Sequence, residues 1–212
     1  MRSSREALAG TLEAPRRNSR TGFAAVAVAL VMSVTLNVLL AHKIRSFNDV
    51  QTARMAERLL NAGATVLPIT GRRLDGRREV ISYQGTNQPT VLYVFTPPYK
   101  WCARKMDNFK RLVDKGSGQY RFVGLSLSDE GLAQHVAKND LNLPVYSGLS
   151  TEAKQAYKLS GTPQTIVVSP ESRVLQNWMG AYVGSQKSEI EAFFHVSLPG
   201  LRELPRSDAT KN

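Results

Sequence analysis

The sequence has a single cysteine, Cys102, in 212 residues. No intramolecular disulfide can form, so the fold must stand on its core, and cysteine pairing says nothing about the compartment. Histidine is almost as scarce: His42, His135 and His195 are too dispersed to make a recognisable metal motif with Cys102. No metal and no cofactor is expected. A glycine-rich phosphate loop, a serine nucleophile elbow, internal repeats and low-complexity segments are all missing. Acidic charge is in deficit, with 28 Lys+Arg against 17 Asp+Glu and a net charge of +11. No nucleic-acid motif accompanies the excess, so nucleic acid is not an expected partner. The basic residues read as solvated surface, with contact to anionic lipid headgroups as the alternative.

What the chain does have is one long uncharged run. Residues 22–41, GFAAVAVALVMSVTLNVLLA, hold 20 positions without a charge. That is the length a helix needs to cross a hydrocarbon core of about 30 Å. A cleavable signal peptide and a buried core helix are the competing readings. Against the signal peptide, the run exceeds the usual apolar region of about 7–15 residues. Leu39 also stands where a cleavage site ending at Ala41 wants a small side chain. The expectation is an uncleaved single-span anchor. Arg2, Arg5, Arg16, Arg17 and Arg20 precede the run, and Lys43, Arg45, Arg54 and Arg58 follow it. The slight bias favours a cytoplasmic N-terminus, because a following domain can cross largely regardless of its charge. The rest of the chain is then expected on the periplasmic or extracytoplasmic side of the cell membrane.

Residues 1–21 lack apolar periodicity and are expected to be a disordered tail. Residues 42–63 read as a helical stalk, with Ile44, Phe47, Met55 and Leu59 at a rough 3–4 spacing and Gly63 as a stop. That stripe could pair with another chain or lie against the domain. Short strands are expected at ATVLPI and REVISY, on either side of GRRLDG with its Asp75-Gly76 turn signal. PTVLYVF, residues 89–95, is nearly continuous in β-branched and aromatic residues, which fits a central strand buried on both faces. A helix follows, ending at residues 116–118, and then YRFVGLSL, residues 120–127, as a parallel strand of a βαβ unit. Short helices are expected near 129–138 and after Ser150, a good N-cap with Glu152 in the first turn. TIVVS and RVLQNWMGAY make an antiparallel hairpin around Pro170, and residues 186–194 close the domain as a helix. The sum is an α/β sandwich, one mixed sheet with helices on both faces, over about residues 64–195, with 196–212 as a C-terminal tail.

On the helix after PTVLYVF, Cys102, Met106, Phe109 and Val113 are spaced 4, 3, 4, which is one helical face. Cys102 therefore belongs to the buried stripe, one turn from the N-terminus. Lys100, Arg104, Asp107, Arg111 and Lys115 form the solvated side. A helix N-terminus lowers a thiol's pKa, and apolar burial raises it. Tyr99, one turn earlier, is placed between Cys102 and solvent. His135 is expected on a helix surface, Trp178 in the core and Trp101 facing outward. Tyr99, Trp101 and Pro163 together could form an exposed apolar patch of the kind that marks binding sites.

These stretches carry a resemblance. PTVLYVFTPPYKWCARKMDNF followed by GTPQTIVVSPESRVLQNWMGAY resembles the membrane-anchored thioredoxin-like proteins of the TlpA/ResA kind, over about residues 64–195. The resemblance implies a thioredoxin-like fold and a Cys-x-x-Cys pair opening the helix. It also implies a cis-proline beside the dithiol that helps to bind the backbone of a substrate protein. Thr162-Pro163 takes that cis-proline position. The departures are equally plain: Tyr99 stands where the attacking cysteine belongs, and Lys105 where a glutamate tunes the thiols. Only the resolving cysteine is left, as Cys102, and disulfide exchange within one chain needs a second thiol. The expectation is a protein-binding module that has lost dithiol exchange, with Tyr99, Trp101, Thr162 and Pro163 as its contact residues for a protein partner or peptide segment. Cys102 is then either a small hydrophobe kept in the core or a one-cysteine redox residue working through mixed disulfides or a sulfenate.

Overall fold

The structure, a computed structural model, describes residues 28–45 and 59–201. The expected disordered tail, the start of the uncharged run, most of the stalk and the end of the C-terminal tail lie outside the described residues. The chain divides into two units, Met1–Thr52 and Ala53–Asn212.

The first unit contains α1, Val28–Arg45, with a mean hydropathy of 1.4 and no buried residue. It is long and apolar enough to cross a membrane. Two polar side chains inside it turn back on the helix. Thr35 Oγ1 donates to the Val31 carbonyl and Asn37 Nδ2 to that of Ser33, both at 2.8 Å. Such back-bonding removes the cost of carrying a hydroxyl or an amide through an apolar environment.

The second unit is built on seven strands: β1 Ile69–Arg73, β2 Arg78–Ile81, β3 Thr90–Phe95, β4 Arg121–Ser126, β5 Val145–Ser147, β6 Gln164–Val168 and β7 Val174–Met179. They form one sheet in the order β2-β1-β5-β4-β3-β6-β7. β3 runs parallel to β4, as a βαβ crossover requires, and antiparallel to β6. Four helices cover the sheet: α2 Lys100–Gly116, α3 Leu132–Lys138, α4 Thr151–Ala156 and α5 Gly184–Phe194.

Every residue of β3 is buried. The period of two then divides its side chains between two cores. Val91, Tyr93 and Phe95 pack with Cys102, Met106, Phe109 and Leu112 of α2 and with Ile190 and Phe194 of α5. Leu92 and Val94 point the other way, toward Ile69, Val123, Ile166 and Tyr157. The Tyr93 ring stacks on Phe109 at 3.9 Å between centroids, which fixes the height of α2 over the strand. Ser150 caps α4, its hydroxyl accepting from the Ala153 amide.

Three local expectations are corrected. The first strand begins at Ile69 rather than Ala64 and takes in Gly71, Arg72 and Arg73, so the turn is confined to the residues around Asp75-Gly76. β-Branching marked 64–69 as a strand, but only Thr65 makes an isolated bridge there, to Arg173. β5, three residues long and buried throughout, was not expected. His135 is buried instead of lying on the surface, with its ring stacked on Phe95 at 5.2 Å.

The segment leading into the sheet is sewn down before β1 starts. Gly63 N–H donates to Val174 O at 2.7 Å, Val174 N–H to Ala64 O at 2.8 Å and Val66 N–H to Ser172 O at 2.8 Å. Lys158 Nζ reaches the Leu59 carbonyl at 3.0 Å, and the Tyr157 hydroxyl donates to Leu67 O.

Candidate functional site

The site forms where β3 ends and α2 begins. Pro97 and Pro98 cannot extend a strand ladder, and the chain turns through Thr96–Tyr99, with Tyr99 N–H donating to Thr96 O at 3.0 Å. Tyr99 is the N-cap residue of α2 but makes no side-chain cap bond. Its carbonyl accepts from Cys102 N–H at 3.0 Å, so residues 99 and 102 are one closed turn apart. The first turn carries no acidic residue. The positive end of the helix dipole is left uncompensated there, and Lys100 adds to it.

Cys102 is fully buried, and Tyr99, three residues before it, is 42% exposed. Burial pushes the thiol upward from its ordinary value. Three neighbours oppose that shift: the Thr96 main chain, the Thr162 hydroxyl and the charge of Lys105. The Thr162–Pro163 peptide bond is cis, and Thr162 Oγ1 lies 3.1 Å from Thr96 Oγ1. β6 thus brings the 162–163 pair against the start of α2, although the two lie some sixty residues apart in sequence.

Tyr99, Trp101, Thr162 and Pro163 line one groove of about 410 Å³, with apolar walls completed by Ala181, Val183 and Leu201. Arg104 also lines it and lies over the Trp101 ring at 4.8 Å. The structure therefore brings the four expected contact residues together. Cys102 is not among the lining residues and is enclosed in the core between β3 and α2. The far wall and Leu201 were not expected. They belong to the loop between β7 and α5 and to the segment after α5, and no motif announces either.

Lys105 is the residue the sequence reading did not place. It is completely buried on α2, and its Nζ donates to Thr165 Oγ1 at 3.0 Å. The amine lies 3.7 Å from the centroid of the Tyr182 ring and 5.3 Å from that of Tyr93. Thr165 and Tyr182 share a hydrogen bond of 2.7 Å. Desolvation drives the Lys105 amine well below its ordinary range, opposed by Cys102. The Tyr93 hydroxyl, also buried, has no hydrogen-bond partner among the described residues. A signal for Lys105 was present: Cys102, Lys105, Phe109, Leu112 and Gly116 are spaced 3, 4, 3, 4, a helical face as good as the one chosen.

His135 sits beside the turn. One ring nitrogen donates to the Pro97 carbonyl, Nε2 has no partner, and burial lowers the pKa of the ring. No group of three or more His, Cys, Asp or Glu able to hold a metal occurs among the described residues.

No family model and no curated protein matches the sequence. Solved structures do match the fold. The thioredoxin domain of a thiol-disulfide oxidoreductase from Bacteroides vulgatus superposes with a TM-score of 0.52 at 17% identity, over 64% of this chain and 99% of that one. A protein described as the thiol:disulfide interchange protein DsbE from Chlorobium tepidum gives 0.54 at 14% identity, over 63% and 94%. A secreted Mycobacterium tuberculosis disulfide oxidoreductase gives 0.50 at 17% identity, over 59% and 93%. The fold is thioredoxin-like. In this thioredoxin-like domain the sole thiol is enclosed, so folded protein should react slowly with iodoacetamide. Denaturant should raise the labelling rate of Cys102 by about 100-fold or more, since a buried thiol reacts only through opening. Fast labelling of the folded protein would show an exposed, activated thiol.

Proposed function

We propose that the chain is a membrane-anchored, extracytoplasmic thioredoxin-like protein that binds an extended segment of a partner protein and does not exchange disulfides by itself. The observation that carries this reading is the position of the only thiol, enclosed in the core and not in the groove that Tyr99 and Pro163 line. Tyr99 stands where a dithiol enzyme of this fold would keep its attacking cysteine, and a tyrosine cannot take a disulfide sulfur. It gives the groove an aromatic wall instead, and burying such a ring against a partner is a common source of affinity. The solved structures of like fold are named as thiol-disulfide oxidoreductases or interchange proteins, and this chain has that fold with a single thiol.

The test is reduction of insulin by dithiothreitol. The full chain should leave the rate at background. Catalysis abolished by Cys102→Ala would overturn the binding reading. It would favour the second one, in which Cys102 works with a thiol borrowed from a partner. Hydrogen bonding of the sulfur by Thr96 and Thr162 supports that alternative, because both neighbours favour a thiolate. Orientation has its own expected result. Alkaline phosphatase fused after residue 64 should be active, and activity of a cytoplasmic reporter there would reverse the topology. A mature chain starting near residue 42 would remove the anchor.

A further inference from the structure

We propose that the Cys102–Lys105 pair is an oxidant-responsive cross-link site, in which peroxide oxidises Cys102 and the Lys105 amine condenses with the product to form a sulfur–nitrogen bond. The chemistry goes beyond what the groove binds and does not depend on it. In the first step the thiol sulfur attacks a peroxide oxygen, the O–O bond breaks, and Cys102 becomes a sulfenic acid with release of one water. In the second, the Lys105 nitrogen attacks that sulfur, the S–O bond breaks, and the hydroxyl leaves with the amine proton as a second water. The sulfur is oxidised by two electrons, and the peroxide, the only co-reactant, is reduced by two. A sulfenic acid condenses with whatever thiol or nitrogen is near it. Here the chain holds no second thiol, and the enclosed amine of Lys105 stands three residues along the same helix.

Three observations support the pair. Both residues are completely enclosed on one helix, one turn apart, where side chains at this spacing are neighbours. Each charge acts on the other, Lys105 on the thiol and Cys102 on the amine. The buried Tyr93 hydroxyl, which has no hydrogen-bond partner among the described residues, belongs to the same core cluster as Cys102, so the enclosure holds a free donor. Desolvation also disfavours the protonated form of the Lys105 amine, and only the unprotonated form attacks sulfur. A molecule as small as peroxide reaches the enclosed sulfur through local opening beside the groove. Tyr99 and Thr162 line it, and the Thr162 hydroxyl is already hydrogen-bonded to the sulfur.

The experiment treats the full chain in detergent with hydrogen peroxide and reads intact mass, tryptic peptides and dimedone capture of sulfenic acid. Wild type should lose two hydrogen atoms, about 2 Da, without a dimedone adduct. Trypsin should then release Trp101–Arg104 linked to the peptide that starts at Lys105, and dithiothreitol should separate them. Lys105→Met and Lys105→Arg, which keep the bulk but lack the nucleophilic amine, should instead trap dimedone and proceed to sulfinic acid. Tyr99→Ala should speed oxidation without changing the product, and Cys102→Ala should show no mass change. The same mass loss in both Lys105 variants would assign the bond to a backbone nitrogen and overturn the proposal. So would a dimedone adduct on wild type at the variants' rate, or no oxidation of Cys102 at all. Insulin reduction and groove binding can succeed or fail without altering these readouts.

Discussion

Replacing Tyr99 by cysteine should give a domain that closes a disulfide within itself and reduces those of other proteins. The turn is already built: Cys102 N–H donates to the residue 99 carbonyl at 3.0 Å. Adjacent turns of a helix start lie within the Cα separation of about 4.4–6.8 Å that a disulfide accepts. The new thiol would replace a side chain that is 42% exposed and would sit at the uncapped positive end of α2 beside Lys100. Both features favour its thiolate. Cys102, buried and with a raised pKa, would be the resolving thiol. In Tyr99→Cys, titratable thiols should fall from two to none on oxidation, and insulin reduction should rise above the background of the parent. Activity should stay modest, because the buried group beside Cys102 is Lys105, and no carboxylate stands there to take up the resolving proton. Two free thiols after oxidation, or a disulfide with no turnover, would show that the fold around the site has drifted too far for exchange.

Lys105→Met should stabilise the domain. A fully buried amine that meets one hydroxyl and two aromatic faces has left water for little. Replacing buried ionisable groups by apolar ones of similar volume often gains about 1–3 kcal/mol. For a domain of this size that is a Tm rise of about 3–8 °C. Thr165 keeps its bond to Tyr182, so no polar atom is orphaned. The pH dependence checks the cause. The folded value of Lys105 is depressed, so between it and the ordinary lysine value the unfolded chain binds one more proton than the folded one. Wild-type stability therefore rises with pH across that window. The advantage of the variant should be complete below the folded value, shrink through the window and vanish above the ordinary value. An equal or lower Tm at neutral pH would mean that the amine is better satisfied than its neighbours indicate.

β3 and the βαβ unit were legible because a doubly buried strand and a 3.6-residue stripe are periodic signals that no local competitor matches. The hairpin of β6 and β7 was legible from the short loop at Pro170, and the cap from Ser150 with Glu152 in the turn that follows. β5 was not: three residues between Pro144 and Gly148 are too few for any period to show. His135 and Lys105 were misjudged or passed over because polarity suggests exposure, and burial is decided by what lies opposite. Phe95 lies opposite His135, and Tyr93, Thr165 and Tyr182 lie around Lys105. Those neighbours lie up to 77 positions away, on β3, on β6 and in the loop after β7. The expected groove residues were found through two short motifs, whereas Ala181, Val183 and Leu201 come from connecting segments with none.

The stitching of residues 59–67 onto α4 and β7 also sets how the domain would carry a mechanical load. A pull on the chain from its N-terminal side meets the bonds of Leu59, Gly63, Ala64 and Val66 before it reaches β1. Those between Gly63–Val66 and Ser172–Val174 lie side by side, so tension is shared among them rather than opening them one at a time. β1, which pairs with β2 and β5 at the other end of the sheet, is shielded from that tension until the whole seam gives way. The seam, not the β1–β2 edge of the sheet, is therefore where a load on the N-terminal side of this domain is first borne.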